Sequence, residues 1–199
     1  MNAAESIVES YYRICNNCLT ISDVKVKNGN NRQFDLLAYR IKGECQYHIE
    51  VSVTHVPKWC PTIEDLNKQF SKKFFGTSNE KRGGKKDLDY SVNKSYIKAI
   101  KNSYESIGFD FLAVRRVWVC WAIKGERSKI DPLIVKYSNP LVCDGKEFEI
   151  EIISLRDKIL PELLKKISTS NYENEIIRSL SLITQRNRQL DVLSNKSNV

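Results

Sequence analysis

Glu50 stands in the middle of an otherwise apolar-patterned run, YHIEVSVTH, at residues 47–55. Strand periodicity sends Ile49, Val51 and Val53 to one face and His48, Glu50, Ser52 and Thr54 to the other. Upstream, QFDLLAYRI reads as a partner strand. The intervening KGEC suits a two-residue type II′ hairpin with Gly43 at its first central position. That register pairs Lys42 with Cys45 and sets Asp35 opposite Ser52 on the Glu50 face. Glu50 then lies diagonal to Asp35, with Cα atoms about 7 to 8 Å apart. Two carboxylates that close repel each other unless a proton or a cation sits between them. Mg²⁺ (or Mn²⁺) takes hard oxygen ligands and keeps several waters, so a sparse pair suits it. Its chemistry there is activation of water and stabilisation of the charge that develops on a phosphodiester. A strand with one solvated face shows the same alternation with no function attached.

Other residues of ligand type are weaker candidates. Cys15-x-x-Cys18 and Cys45-x-x-His48 have spacings found in zinc sites. Cys15, however, ends an apolar helical stripe, and Cys120 lies between Trp118 and Trp121 as a small core residue would. Six cysteines in 199 residues are too sparse for a disulfide scaffold. His48 shares the Glu50 face and His55 ends the strand, both readable as polar strand residues.

The elements that must position the carboxylates follow from periodicity. Ala4, Ile7, Val8, Tyr11 and Ile14 form one helical stripe. CLTISDVKV is a first strand, followed by the two strands of the hairpin. Thr62 caps a helix starting at Ile63, with Asp65 as the acid of a capping box and Ile63, Leu66, Phe70 and Phe74 on its buried side. A second helix is predicted from about Tyr90 to Ile107, burying Ile97, Ile100, Tyr104 and Ile107. DFLAVRRVWVCWAI and EFEIEIISL are further strands, the latter with Phe148, Ile150 and Ile152 inward, and the tail from Pro161 is helical. The expected architecture is α/β: one mixed central sheet flanked by helices, with a C-terminal helical extension. A single domain spans 1–199, with a core over 1–155 carrying a basic helical insertion at 62–107, then C-terminal helices over 156–193.

Composition narrows the partners. The longest apolar run, Val117 to Ile123, is far too short for a membrane span, and no secretory signal pattern opens the chain, so a cytoplasmic location is expected. The net charge is +8, and residues 68–101 hold ten Lys or Arg against three acidic residues, whereas the rest of the chain is nearly balanced. A localised basic block is the footprint of a polyanion partner, although a solvated lysine-rich loop looks the same. Within it, Lys81, Arg82, Lys85 and Lys86 flank Gly83-Gly84 in a loop, and Lys94, Lys98 and Lys101 share one helix face.

The order of AAESIVESYY on a first helix, FDLLAY on the second strand and HIEVS on the third resembles the PD-(D/E)xK nuclease superfamily, the restriction-endonuclease-like fold. The pattern is most similar to small archaeal Holliday-junction resolvases and related branches, over roughly residues 3 to 75. The resemblance implies Asp35 as the motif aspartate and Glu50 as the motif glutamate. It implies Glu5, or Glu9 one turn on, as the helix acid, and Gln69 in LNKQFSKKF as the glutamine many members carry. It also implies Mg²⁺ or Mn²⁺ as cofactor, DNA as substrate and, as is common in that family, a homodimer. Where the family has lysine this chain has Ser52, which serves poorly to activate water or offset transition-state charge. Lys68, Lys72 or Lys73 on the next helix could supply the missing cation, and Lys72, four residues from Lys68 and beside Gln69, is the expected one. The expectation is a Mg²⁺-dependent DNA endonuclease. Its rivals are a catalytically silent nucleic-acid-binding module of the same fold and an assembly subunit using the Trp118–Trp121 strand or the C-terminal helices as an interface.

Overall fold

The computed structural model describes residues 2–29, 31–54, 60–76, 94–124, 132–138, 146–167 and 172–196. Helix α1 (Ala3–Ile14) leads into three antiparallel strands, β1 (Leu19–Lys25), β2 (Gln33–Arg40) and β3 (Cys45–Ser52). Helices α2 (Ile63–Phe75) and α3 (Lys94–Ser106) precede β4 (Arg115–Cys120), which joins β3 in parallel. Strands β5 (Leu133–Ser138) and β6 (Glu147–Ser154) complete one mixed sheet of order β1-β2-β3-β4-β6-β5, with β6 parallel to β4 and β5 antiparallel to β6. A π-helical turn at Leu155–Ile159 continues into α4 (Leu160–Lys166), and α5 (Glu175–Lys196) ends the described chain.

The sheet separates two apolar cores, giving helices on both faces. On one side Leu66, Phe70, Phe74 and Phe75 of α2 and Ile97, Ile100 and Tyr104 of α3 pack on Leu37, Trp118, Ile150 and Ile152. On the other, Val8, Tyr11 and Tyr12 of α1, with Leu163 and Ile177 from the C-terminal helices, cover Leu36, Ala38, Ile49, Val117 and Val119. The C-terminal helices thus share a core with α1 rather than standing apart from it. Trp118 is buried and so belongs to this interior, whereas α5 leaves Leu182, Ile183, Leu190 and Val192 exposed. Among the described residues, no helix is long and apolar enough to cross a membrane.

Local signals set the elements near the site. Thr62 accepts from the Asp65 backbone N–H while Asp65 accepts from the Thr62 N–H, a reciprocal capping box that starts α2 at Ile63. Gly76 ends α2 in the left-handed region at φ 74°, where a Cβ would lie 2.9 Å from the Cβ of Tyr96 on α3. Gly76→Ala should therefore cost both the left-handed penalty and a helix-helix collision, roughly 2 kcal/mol or more. Thermal denaturation should show a fall of roughly 4 to 8 °C, and an unchanged midpoint would mean that α2 and α3 separate readily.

The hairpin register corrects the expected one. The turn takes four residues, Ile41–Glu44, closed by the Glu44 N–H on the Ile41 carbonyl at 3.2 Å, with Gly43 and Glu44 both at positive φ. Arg40 rather than Lys42 pairs with Cys45, and Leu36 faces Ile49. A shift of two keeps Leu37, His48 and Glu50 on one face and Leu36 and Ile49 on the other, since the strand period is two. The ladder ends at Leu36–Ile49, and one residue beyond it Asp35 accepts from the Val51 N–H, which brings its carboxylate beside Glu50 rather than Ser52. Strand β5 is an element that the sequence reading lacks.

Candidate active site

Asp35 and Glu50 come together under the C-terminal half of α2, on the α2–α3 face of the sheet. Glu50 is fully buried and Asp35 nearly so. The Val51 backbone N–H donates to Asp35 Oδ2 at 2.9 Å, which fixes that carboxylate beside β3. Lys73, one residue beyond the expected Lys72, reaches down from α2. Its ammonium lies 2.6 Å from Glu50 Oε2 and 3.4 Å from Asp35 Oδ1. Gln69 is exposed one turn earlier on the same stripe of α2 as Lys73. At Lys72, the main-chain carbonyl accepts from Arg32 Nη1 at 2.8 Å, tying the loop before β2 to α2. Ser52 ends β3 opposite Cys120 of β4, on the Glu50 side of the strand.

Behind Glu50 runs a second layer that sequence patterning gives only in part. His48 Nε2 lies 2.7 Å from Glu50 Oε1, and its Nδ1 lies 2.5 Å from the Tyr104 hydroxyl on α3. His48 and Tyr104 have no exposed surface, and Phe34 stacks on Tyr104 and leans against the imidazole. Arg116 of β4, the parallel partner of His48, is also buried. Its guanidinium lies among the rings of Phe75, Phe111 and Phe148, 4.5 to 4.9 Å from their centroids, and donates to the carbonyls of Phe111 and Val114. A charged residue amid the β-prone run of VRRVWVC is the one trace of it in the sequence.

Burial governs the electrostatics. It raises the Asp35 pKa to about 6, helped by the neighbouring Glu50 charge and opposed by Lys73 and the Val51 N–H. Burial also raises Glu50, while Lys73 pulls it back. For Lys73, burial works against the ammonium, but Glu50 and then Asp35 outweigh it and leave its pKa above the usual value. His48 is held well below the normal imidazole range by burial and by the Arg116 charge, so it is neutral.

Several expected partners lie elsewhere. Glu5 closes the capping box of α1, its two oxygens accepting from the Asn2 backbone and side-chain nitrogens at 2.7 and 2.6 Å. Glu9 accepts from the Thr20 hydroxyl at 2.8 Å. Both belong to α1, which packs on the opposite face of the sheet, and Glu5 does not join Asp35 and Glu50. Among the described residues, no three His, Cys, Asp or Glu side chains are grouped as metal ligands. What the site offers a metal is two hard, anionic oxygen donors already holding one cation, the Lys73 ammonium. That set fits Mg²⁺ or Mn²⁺ with most of its shell left to water. The Cys45–His48 zinc pair fails on geometry, because Cys45 packs in the α1-side core while His48 points to the other face, and among the described residues Cys15 and Cys18 belong to no group of three ligands. Cys45 instead accepts from Arg40 Nη2 at 3.2 Å.

Of the basic residues, Lys98 is exposed on α3, and the Lys101 ammonium stands 4.9 Å over the Phe111 ring. Lys94 begins α3. Lys81, Arg82, Lys85 and Lys86, like His55, lie outside the described residues. No family model matches the chain, and neither does a curated protein or a solved structure.

Proposed function

We propose that the chain is a Mg²⁺-dependent DNA endonuclease with a restriction-endonuclease-like, PD-(D/E)xK-type core whose lysine comes from the helix after the hairpin. The observation that carries this reading is the Lys73 ammonium on both carboxylates, supplying from α2 the charge that Ser52 lacks. Asp35 and Glu50 would hold the metal, which when bound supplies Lewis-acid activation of water and of the scissile phosphate. With its pKa raised, Lys73 acts as a charged donor that orients water or a phosphate oxygen, not as a proton acceptor. Its side chain is 36 % exposed, so the residue borders solvent where a substrate would approach. Gln69, on the same stripe, would contact the phosphate backbone, and the positive charge of the 81–101 block would add sequence-independent attraction for the nucleic acid. The deciding experiment is DNA cleavage against Mg²⁺ and Mn²⁺ concentration, with Asp35→Ala alongside wild type. Metal-dependent cleavage lost in Asp35→Ala supports the reading; wild-type cleavage untouched by Asp35→Ala and Glu50→Ala overturns it.

A silent binding module of the same fold is favoured by one observation: the Lys73 ammonium offsets one of the two carboxylate charges and occupies the oxygens a cation would take. DNA binding without cleavage in any divalent metal would select it. Both readings expect affinity that falls steeply with salt, with a slope of about −0.9 per phosphate neutralised. Changing Lys81, Arg82, Lys85 and Lys86 to glutamate should weaken binding to all sequences alike. Fluorescence anisotropy across a salt series checks this, and binding indifferent to both salt and these changes would reduce the block to a solvated loop.

A further inference from the structure

We infer that His48 and Tyr104 are positioning residues for Glu50, a relay that fixes one carboxylate oxygen so that the other faces Lys73 and the metal. The inference rests on the two-carboxylate site proposed above. Glu50 Oε2 receives the Lys73 ammonium, and a carboxylate so paired can only accept hydrogen bonds. His48 Nε2 therefore carries the imidazole hydrogen and donates it to Oε1 across 2.7 Å. That leaves Nδ1 as an acceptor, and the Tyr104 hydroxyl donates to it across 2.5 Å. The order of donors is thus set from the carboxylate outward: Glu50 fixes the tautomer, Tyr104 donates to the bare Nδ1 and holds the ring in place, and the held ring keeps Oε1 occupied so that Oε2 is presented. Tight packing keeps the chain straight, since the His48 ring lies 4.5 Å from Phe34 and 4.9 Å from Phe74 by centroid. A solvated surface strand needs none of this. A fully buried polar chain of three side chains from two elements is costly to assemble and specifies one geometry. Outer partners of this kind commonly govern how well a carboxylate holds a metal.

The test measures Mn²⁺ binding by titration calorimetry on the full chain, together with the ¹⁵N shifts of the imidazoles. The chain has two histidines, so His48→Gln assigns the signals. In the wild type Nε2 should be protonated and Nδ1 bare. Tyr104→Phe keeps the ring stacked on Phe34 and removes one oxygen, so it is the variant that decides the matter should His48→Leu fail to fold. Tyr104→Phe should leave Nε2 protonated while the Nδ1 shift moves with the loss of its donor, and both it and His48→Leu should weaken Mn²⁺ binding by about 10- to 100-fold. His48→Gln, whose amide N–H can reach Oε1, should recover most of the affinity. If Tyr104→Phe binds Mn²⁺ as wild type does while Asp35→Asn loses binding, the positioning role falls and the metal site stands. A wild-type imidazole protonated on Nδ1 overturns the relay by itself. If wild type and Asp35→Asn show the same absence of Mn²⁺ binding, the metal site and the relay built on it fall together.

Discussion

Lys73→Ala is expected to reduce metal-dependent cleavage by about 10² to 10⁴-fold, the usual worth of a positioned acid–base or charge-stabilising group. Lys72→Ala should leave it close to wild type. The two residues adjoin in sequence, but a step of one residue turns a side chain by about 100° around a helix. Lys73 extends its ammonium to Glu50 and Asp35. DNA affinity should change little in either variant, because one phosphate contact is a small part of a distributed attraction. Loss of a folded state would confound the result, since removing Lys73 leaves two carboxylates facing each other. Lys73→Arg, which keeps the charge in a larger head group, should stay folded and lose most of the rate. A stronger check adds Ser52→Lys to Lys73→Ala, restoring an ammonium from the Glu50 side of β3. Partial recovery would show that the charge matters, whichever element supplies it. Cleavage by Lys73→Ala at the wild-type rate would remove Lys73 from the mechanism, and loss confined to Lys72→Ala would return the role to its neighbour.

What could be read in advance divides along physical lines. The start of α2 was legible because a capping box is a contact between neighbours in sequence, Thr62 and Asp65. The face of Asp35 and Glu50 was legible because parity survives a register error of two. The register that brings them together was not, because it depends on Gly43 and Glu44 both taking positive φ, and a glutamate there carries no strong turn signal. The choice between Lys72 and Lys73 depends on how α2 rolls onto the sheet, a tertiary quantity. The buried stripe of Phe70 and Phe74 held a clue, since Lys73 lies three residues after Phe70. Parity could also have excluded the Cys45–His48 pair as joint metal ligands, three residues apart on one strand. The link from His48 to Tyr104 spans 56 positions and has no local signature. The restriction-endonuclease-like topology is a proposal built on the same few residues, whereas the α/β class and the mixed six-stranded sheet are features of the structure.

Asp35→Asn is expected to stabilise the metal-free protein at pH 8 while abolishing the stabilisation that Mg²⁺ is expected to give the wild type. The carboxyl has a pKa of about 6 when folded against an ordinary 3.8, because burial and the Glu50 charge favour its protonated form. A folded pKa raised in this way contributes stability that is fully present below the unfolded value of 3.8. It is lost as the pH climbs through about 6, and above that the ionised group is a constant burden. At 1.36 kcal/mol per unit, that burden is about 3 kcal/mol at most, the attraction of Lys73 being already included in the shifted value. Asparagine keeps the shape, can still accept the Val51 N–H, and carries no charge to bury. Lys73 retains Glu50 as its closer partner. The midpoint of Asp35→Asn in EDTA should therefore exceed that of wild type by roughly 3 to 9 °C at pH 8. The two should converge by pH 4, where the wild-type carboxyl is protonated in the folded state. Adding Mg²⁺ should raise the wild-type midpoint by linkage, since a ligand that binds only the folded state stabilises it, and should leave Asp35→Asn unmoved. Thermal melts at pH 4, 6 and 8, with EDTA or millimolar Mg²⁺, separate these effects. An Asp35→Asn protein less stable than wild type at pH 8 in EDTA would show that Asp35 serves the fold through Lys73. Without that burden, the strongest physical reason to expect a metal between these carboxylates would be gone.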